Sequence, residues 1–161
     1  MQISEKTIES VLEQLYDTNE NKATEIMEMM SKEQPVALSY IMQMSEEFEH
    51  GAERETLLFL AVLVWKSYKT EYNAVPEISE DAMKIAEDNL YNKMSSMEED
   101  FDENKRLEEE AQPILMSFIA SEIFADKGEE LSQSEHKTVA IHLTSLQVLS
   151  DALNEAVKLS V

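Results

Sequence analysis

The sequence predicts an all-α protein, a bundle of about six main helices in two related three-helix units, and three observations carry that expectation. Glycine and proline are scarce, two and three in 161 residues, too few for the turns of a β-rich chain. Apolar residues recur at helical spacing along most of the chain. Finally, Gln34-Pro35-Val36-Ala37-Leu38-Ser39-Tyr40-Ile41 returns as Gln112-Pro113-Ile114-Leu115-Met116-Ser117-Phe118-Ile119, four positions identical and four replaced by other apolar or aromatic residues.

Each element follows from its pattern. Ile8, Val11, Leu12 and Leu15 keep the spacing of a helix face, with Glu5, Glu9 and Glu13 opposite, which predicts a helix over roughly 4–17. Asp17-Thr18-Asn19 supplies turn and capping groups, and Ala23, Ile26, Met27 and Met30 continue the period to Pro35. Proline suits a first helical position and glycine a helix end, so Pro35 to about His50 reads as a third helix closed by Gly51, and 113–127 as its counterpart closed by Gly128. The run Leu57-Leu58-Phe59-Leu60-Ala61-Val62-Leu63-Val64-Trp65 has no polar face, which marks the central helix, ending near Tyr72.

Asn73-Ala74-Val75-Pro76 breaks the chain. Beyond it a long helix starts at Ile78, with Ala82, Ile85, Ala86, Leu90, Met94, Met97 and Phe101 along one side. The last helix, capped by Ser132 or Ser134, runs through Val139, Leu143, Leu146, Leu153 and Val157. Glu53-Arg54-Glu55-Thr56-Leu57-Leu58-Phe59 also aligns with Glu135-His136-Lys137-Thr138-Val139-Ala140-Ile141, which extends the internal repeat to units 1–73 and 77–161 of a single domain, 1–161.

Composition limits the function classes. Thirty-four acidic and thirteen basic residues give a net charge of −21. Like-charge repulsion then argues against direct binding to nucleic acid or an anionic membrane, and any partner is expected to be basic. The apolar run is too short for a bilayer, no secretory leader is expected from the acidic N-terminal stretch, and cysteine is absent, so a cytoplasmic protein is expected. A homodimer through an uncovered apolar stripe is compatible with the sequence.

Catalytic constellations are scarce. Of His50, His136 and His142, only the first has carboxylate spacing of interest, in Glu47-Phe48-Glu49-His50, where Glu47 and His50 are the weak candidates for a metal pair. The second unit offers Ala125 and Gly128 at those places, so symmetry cannot complete a dimetal site. No phosphate loop or dinucleotide fingerprint occurs, and no cofactor is expected. The concentrated polar signal is the acidic stretch containing Glu98, Glu99, Asp102, Glu103, Glu109 and Glu110, read either as a solvated helix end or as a docking surface. Ten methionines, five of them between Met27 and Met44, serve as core fillers or as an adaptable groove.

These observations predict a non-enzymatic protein–protein interaction module with an acidic surface. The alternatives are a nucleic-acid mimic that inhibits a basic DNA- or RNA-binding protein, and a metal-dependent helical-bundle enzyme.

Overall fold

In a computed structural model the protein is described over residues 2–96, 111–125, 127, 128 and 130–160. Among these residues it is all α, with seven helices: α1 (Glu5–Tyr16), α2 (Glu20–Glu33), α3 (Pro35–Ser45), α4 (Gly51–Tyr72), α5 (Glu80–Ser96), α6 (Pro113–Phe124) and α7 (Gln133–Leu159). None is long and apolar enough to cross a membrane. The acidic stretch 98–110 lies outside the described residues.

Two helices form the centre. Leu57 and the unbroken run Leu60 to Trp65 of α4 are buried, because a helix apolar on every side must be surrounded. α4 packs against α7, whose Val139, Leu146, Val148, Leu149, Leu153 and Val157 are buried. α1 and α3 flank α4, while α5 and α6 flank α7. The helix α2 is peripheral: Met30 is its one buried residue.

Serine and asparagine side chains cap several helix starts. Ser4 accepts a hydrogen bond from Thr7 N at 3.1 Å, Asn19 caps α2 through Lys22 N at 2.9 Å, and Ser79 accepts from Ala82 N at 3.1 Å. Ser132 and Glu135 form a reciprocal capping box at the start of α7.

The structure corrects several expectations. Residues 1–73 hold four helices where the sequence predicts a three-helix unit; α2, set off by Asn19 and Pro35 as its pattern predicts, is the additional one. α3 stops at Ser45 instead of reaching His50. Its chain turns so that Phe48 enters the core, where Arg54 donates through Nε and Nη2 to the Phe48 carbonyl at 3.2 and 2.8 Å. Gly51 therefore opens α4 and closes nothing, and neither glycine adopts a positive φ. The positive φ occurs instead at Asn73, φ 66° and ψ −36°, where Ala74 N donates to Tyr72 O at 2.8 Å in a γ-turn that ends α4. Similarly, α6 ends at Phe124, short of Gly128.

The core face of α5 is also rotated from the expected one. Ile78, Met83, Ala86 and Leu90 point inward, while Ile85 is 59% and Met94 40% exposed. Ile78 N donates to Gln34 Oε1 at 2.9 Å, which fixes the chain just before the helix starts.

Candidate functional site

The two Gln-Pro pairs that dominate the sequence are structural clamps. Both glutamines sit immediately before a proline-started helix with nearly the same backbone, φ −137° and ψ 61° at Gln34, φ −129° and ψ 68° at Gln112. Both side chains are buried. Gln34 Oε1 accepts from Ile78 N at 2.9 Å, and its Nε2 donates to Pro76 O at 2.8 Å. Gln112 Oε1 accepts from Ile3 N at 2.7 Å, while Nε2 donates to Tyr72 Oη at 3.1 Å and Asn154 Oδ1 at 3.2 Å. The sequence leaves these side chains available to a neighbouring backbone group, whereas their actual partners lie far along the chain.

Among the described residues, hollows on the surface could take ligands or partners, and three of them bear on function. The first, about 640 Å³ between α3 and α5, is lined by residues including Tyr40, Glu47, Lys84 and Glu87. Burial, then the charge of Glu87, pushes the Tyr40 phenol well above its usual pKa of 10. A phenol held protonated can donate a hydrogen bond, but it is no base or nucleophile near neutral pH.

The second hollow, about 630 Å³, has Glu53, Glu55, Glu122 and Lys127 around Tyr16, Phe59, Leu60 and Ile123, with His142 in its wall. His142 is 3% exposed and its ring packs on Phe48 at 4.5 Å between centroids. Its Nε2 lies 3.0 Å from Glu53 O. A carbonyl only accepts, so Nε2 carries a proton; Nδ1 is buried with no hydrogen-bond partner among the described residues, which favours the neutral ring with its lone pair there. Burial, the largest cause, lowers its pKa from 6.5.

That lowered pKa has a consequence for stability. Below pH 6.5 the unfolded chain takes up the His142 proton before the folded chain does, so stability is full above about 6.5 and falls as the pH drops toward the lowered folded value. Thermal midpoints measured from pH 7.5 to 5.5 are expected to fall, and His142→Phe is expected to flatten that slope. An unchanged slope in the variant would assign the fall to other groups.

The third hollow is a groove of about 230 Å³ between α1, α2 and α4. Leu15, Ala23, Ile26, Met27, Leu58, Phe59 and Val62 line it with Thr18, and Glu55 is its one charged wall residue. Glu55 and Phe59 belong to this groove and to the His142 hollow alike, so the two share a wall. The methionines divide between the expected roles, with Met30 in the core, Met27 in the groove, and Met29 and Met42 exposed.

The metal candidates are not brought together on one helix face. Glu47 and His50 are exposed beyond the end of α3, and His50 occupies the position before α4. No group of three or more His, Cys, Asp or Glu able to hold a metal occurs among the described residues. Glu98, Glu99, Asp102, Glu103, Glu109 and Glu110 fall outside those residues. The groove was not singled out by sequence, since its lining comes from three helices; its signal is Ala23, Ile26 and Met27 on a helix with little else to bury. Compared with protein-family models, curated proteins and solved structures, the chain matches none.

Proposed function

We propose that the protein is a non-enzymatic interaction module that takes a basic partner helix across the N-terminal half of α4. The observation that carries this reading is the shared wall. An almost wholly apolar groove adjoins a hollow bearing Glu53, Glu55 and Glu122, in a chain of net charge −21. Large apolar side chains of the partner would enter the groove, as in other helix-in-groove recognition, and its lysines or arginines would face the carboxylates. The groove has room for one or two such anchors, and anchors of this kind carry most of an interface's energy.

The test uses a synthetic helical peptide of leucine and lysine with one apolar face, and a scrambled peptide of the same composition. The ordered peptide is expected to bind more tightly, and its affinity is expected to fall as salt rises from about 0.05 M to about 1 M, where screening acts within about 3 Å. Ala23 is exposed on α2, so Ala23→Phe fills the groove without entering the core; it is expected to weaken binding about tenfold. Equal binding of both peptides, or indifference to Ala23→Phe, overturns the reading.

A second reading, the nucleic-acid mimic, draws on α1. Glu5, Glu9 and Glu13 stand one turn apart on its exposed face, a row of like charges about 6 Å apart along the axis. Capture of a basic DNA-binding protein that survives Ala23→Phe and is lost when these three become glutamine would favour it.

A further inference from the structure

We infer that the chain is two versions of one helical unit that hold each other by exchange, each unit's buried glutamine gripping the opening residues of the other. The grips are reciprocal. Gln34 of the first unit binds the backbone N–H of Ile78 in the second, and Gln112 of the second binds that of Ile3 in the first. The gripped segments are the same tripeptide: Ile3-Ser4-Glu5 recurs as Ile78-Ser79-Glu80. In both, the isoleucine is buried and the serine caps the helix that follows.

The central helices keep one register. α4 opens at Gly51 and α7 at Gln133, 82 positions later (133 − 51). At that same offset stand Tyr68 and Ser150 (150 − 68), and Tyr72 and Asn154 (154 − 72). The first pair meets directly, with Tyr68 Oη 2.9 Å from both the carbonyl oxygen and Oγ of Ser150. Equivalent positions touching each other is what a twofold relation requires at its axis. Both members of the second pair bond to Gln112 Nε2. Capping preferences can place Gln-Pro before two helices independently, but they cannot make two long-range pairings reciprocal.

The packing follows the same relation. α1 lies on α4 as α5 lies on α7, α3 on α4 as α6 on α7, and α1 touches α6 as α5 touches α3. One of the four differences within the repeated octet is Tyr40 against Phe118, so the phenol hydroxyl beside Glu87 belongs to one copy alone. The two opening segments are consequently interchangeable in kind, and the first unit is completed only by the second.

The test is made on the full-length chain with Gln2-Ile3-Ser4-Glu5-Lys6-Thr7 and Glu77-Ile78-Ser79-Glu80-Asp81-Ala82 exchanged in place, read by amide hydrogen exchange at positions 3 and 78. Both amides are expected to stay protected to within about tenfold of the parent, a difference of about 1.4 kcal/mol. In the parent chain, Gln34→Met is expected to lower protection at Ile78 about tenfold or more beyond any loss at Ile3, and Gln112→Met to do the reverse. Failure of the exchanged chain to fold, or loss of protection at either exchanged segment, overturns the equivalence of the segments. A glutamine variant that exposes the amide of its own unit, or neither amide, overturns the reciprocal grip.

Discussion

Gln112→Ala is expected to lower the stability of the protein by about 3 kcal/mol or more. The side chain satisfies Ile3 N, Tyr72 Oη and Asn154 Oδ1 from a position 1% exposed to water. Alanine would leave the Ile3 N–H and the Asn154 carboxamide without that partner, and each buried polar group so stranded costs about 1–3 kcal/mol. The residues before α1 would also come loose from the core. Glutamate is expected to be no remedy. Its carboxylate can still accept from Ile3 N, but it cannot donate to Asn154 Oδ1. Urea unfolding followed by circular dichroism measures the change. A loss below about 0.5 kcal/mol would mean that the clamp contributes no more than an ordinary surface group does.

Trp65→Ala is expected to cost about 3–5 kcal/mol, a large share of the roughly 5–15 kcal/mol that separates a folded domain of ordinary stability from its unfolded chain. Trp65 is 1% exposed and lies at the end of the buried run of α4. Removing the indole forfeits its transfer energy and leaves a cavity that helices on both sides of α4 could fill only by shifting. It also removes the ring beneath Lys66 and Lys69, whose ammonium groups sit 5.8 and 5.3 Å from its centroid. That contribution is smaller, about 0.5–1 kcal/mol for each at a partly exposed site. Lys69 keeps its ion pair with Glu33 at 2.7 Å, itself half open to solvent and worth little. Because Trp65 is the only tryptophan, the variant must be followed by circular dichroism and not by fluorescence. Tyr16→Ala, at a side chain 68% exposed, serves as the control, expected to change stability by no more than about 0.5 kcal/mol. Comparable losses at the two positions would show that the core is not centred on α4.

How far the fold can be read from the chain depends on how local each signal is. The periods of α1 and α2, the apolar run of α4, the caps at Asn19 and Ser132, and the break after Tyr72 are all written within a few residues of the structure they produce. The end of α3 is not. A helix-compatible stretch continues toward His50, yet Phe48 gains more by entering the core than by extending the helix, and Arg54 stabilises the resulting turn. With that turn, the Glu47 and His50 spacing loses the helix face that gave it meaning. α5 makes the same point: Ile85 and Met94 satisfy a helical stripe on paper, but Met83, Ala86 and Leu90 are the buried ones, because the face that meets the core is decided by the helices α5 packs on.

By itself, then, the sequence determines the helical class, most helix starts, the central place of α4, the negative charge and the recurrence of the Gln-Pro octet. These rest on backbone propensity, capping and periodicity, which act over one or two turns. Only the tertiary structure decides that the two glutamines grip each other's units, that His142 is neutral and buried against Phe48 and Glu53 O, and that an apolar groove shares a wall with a carboxylate-lined hollow. Each of these joins residues from distant parts of the chain. Their proximity comes from packing the apolar faces of several helices at once, and no local pattern encodes which faces meet.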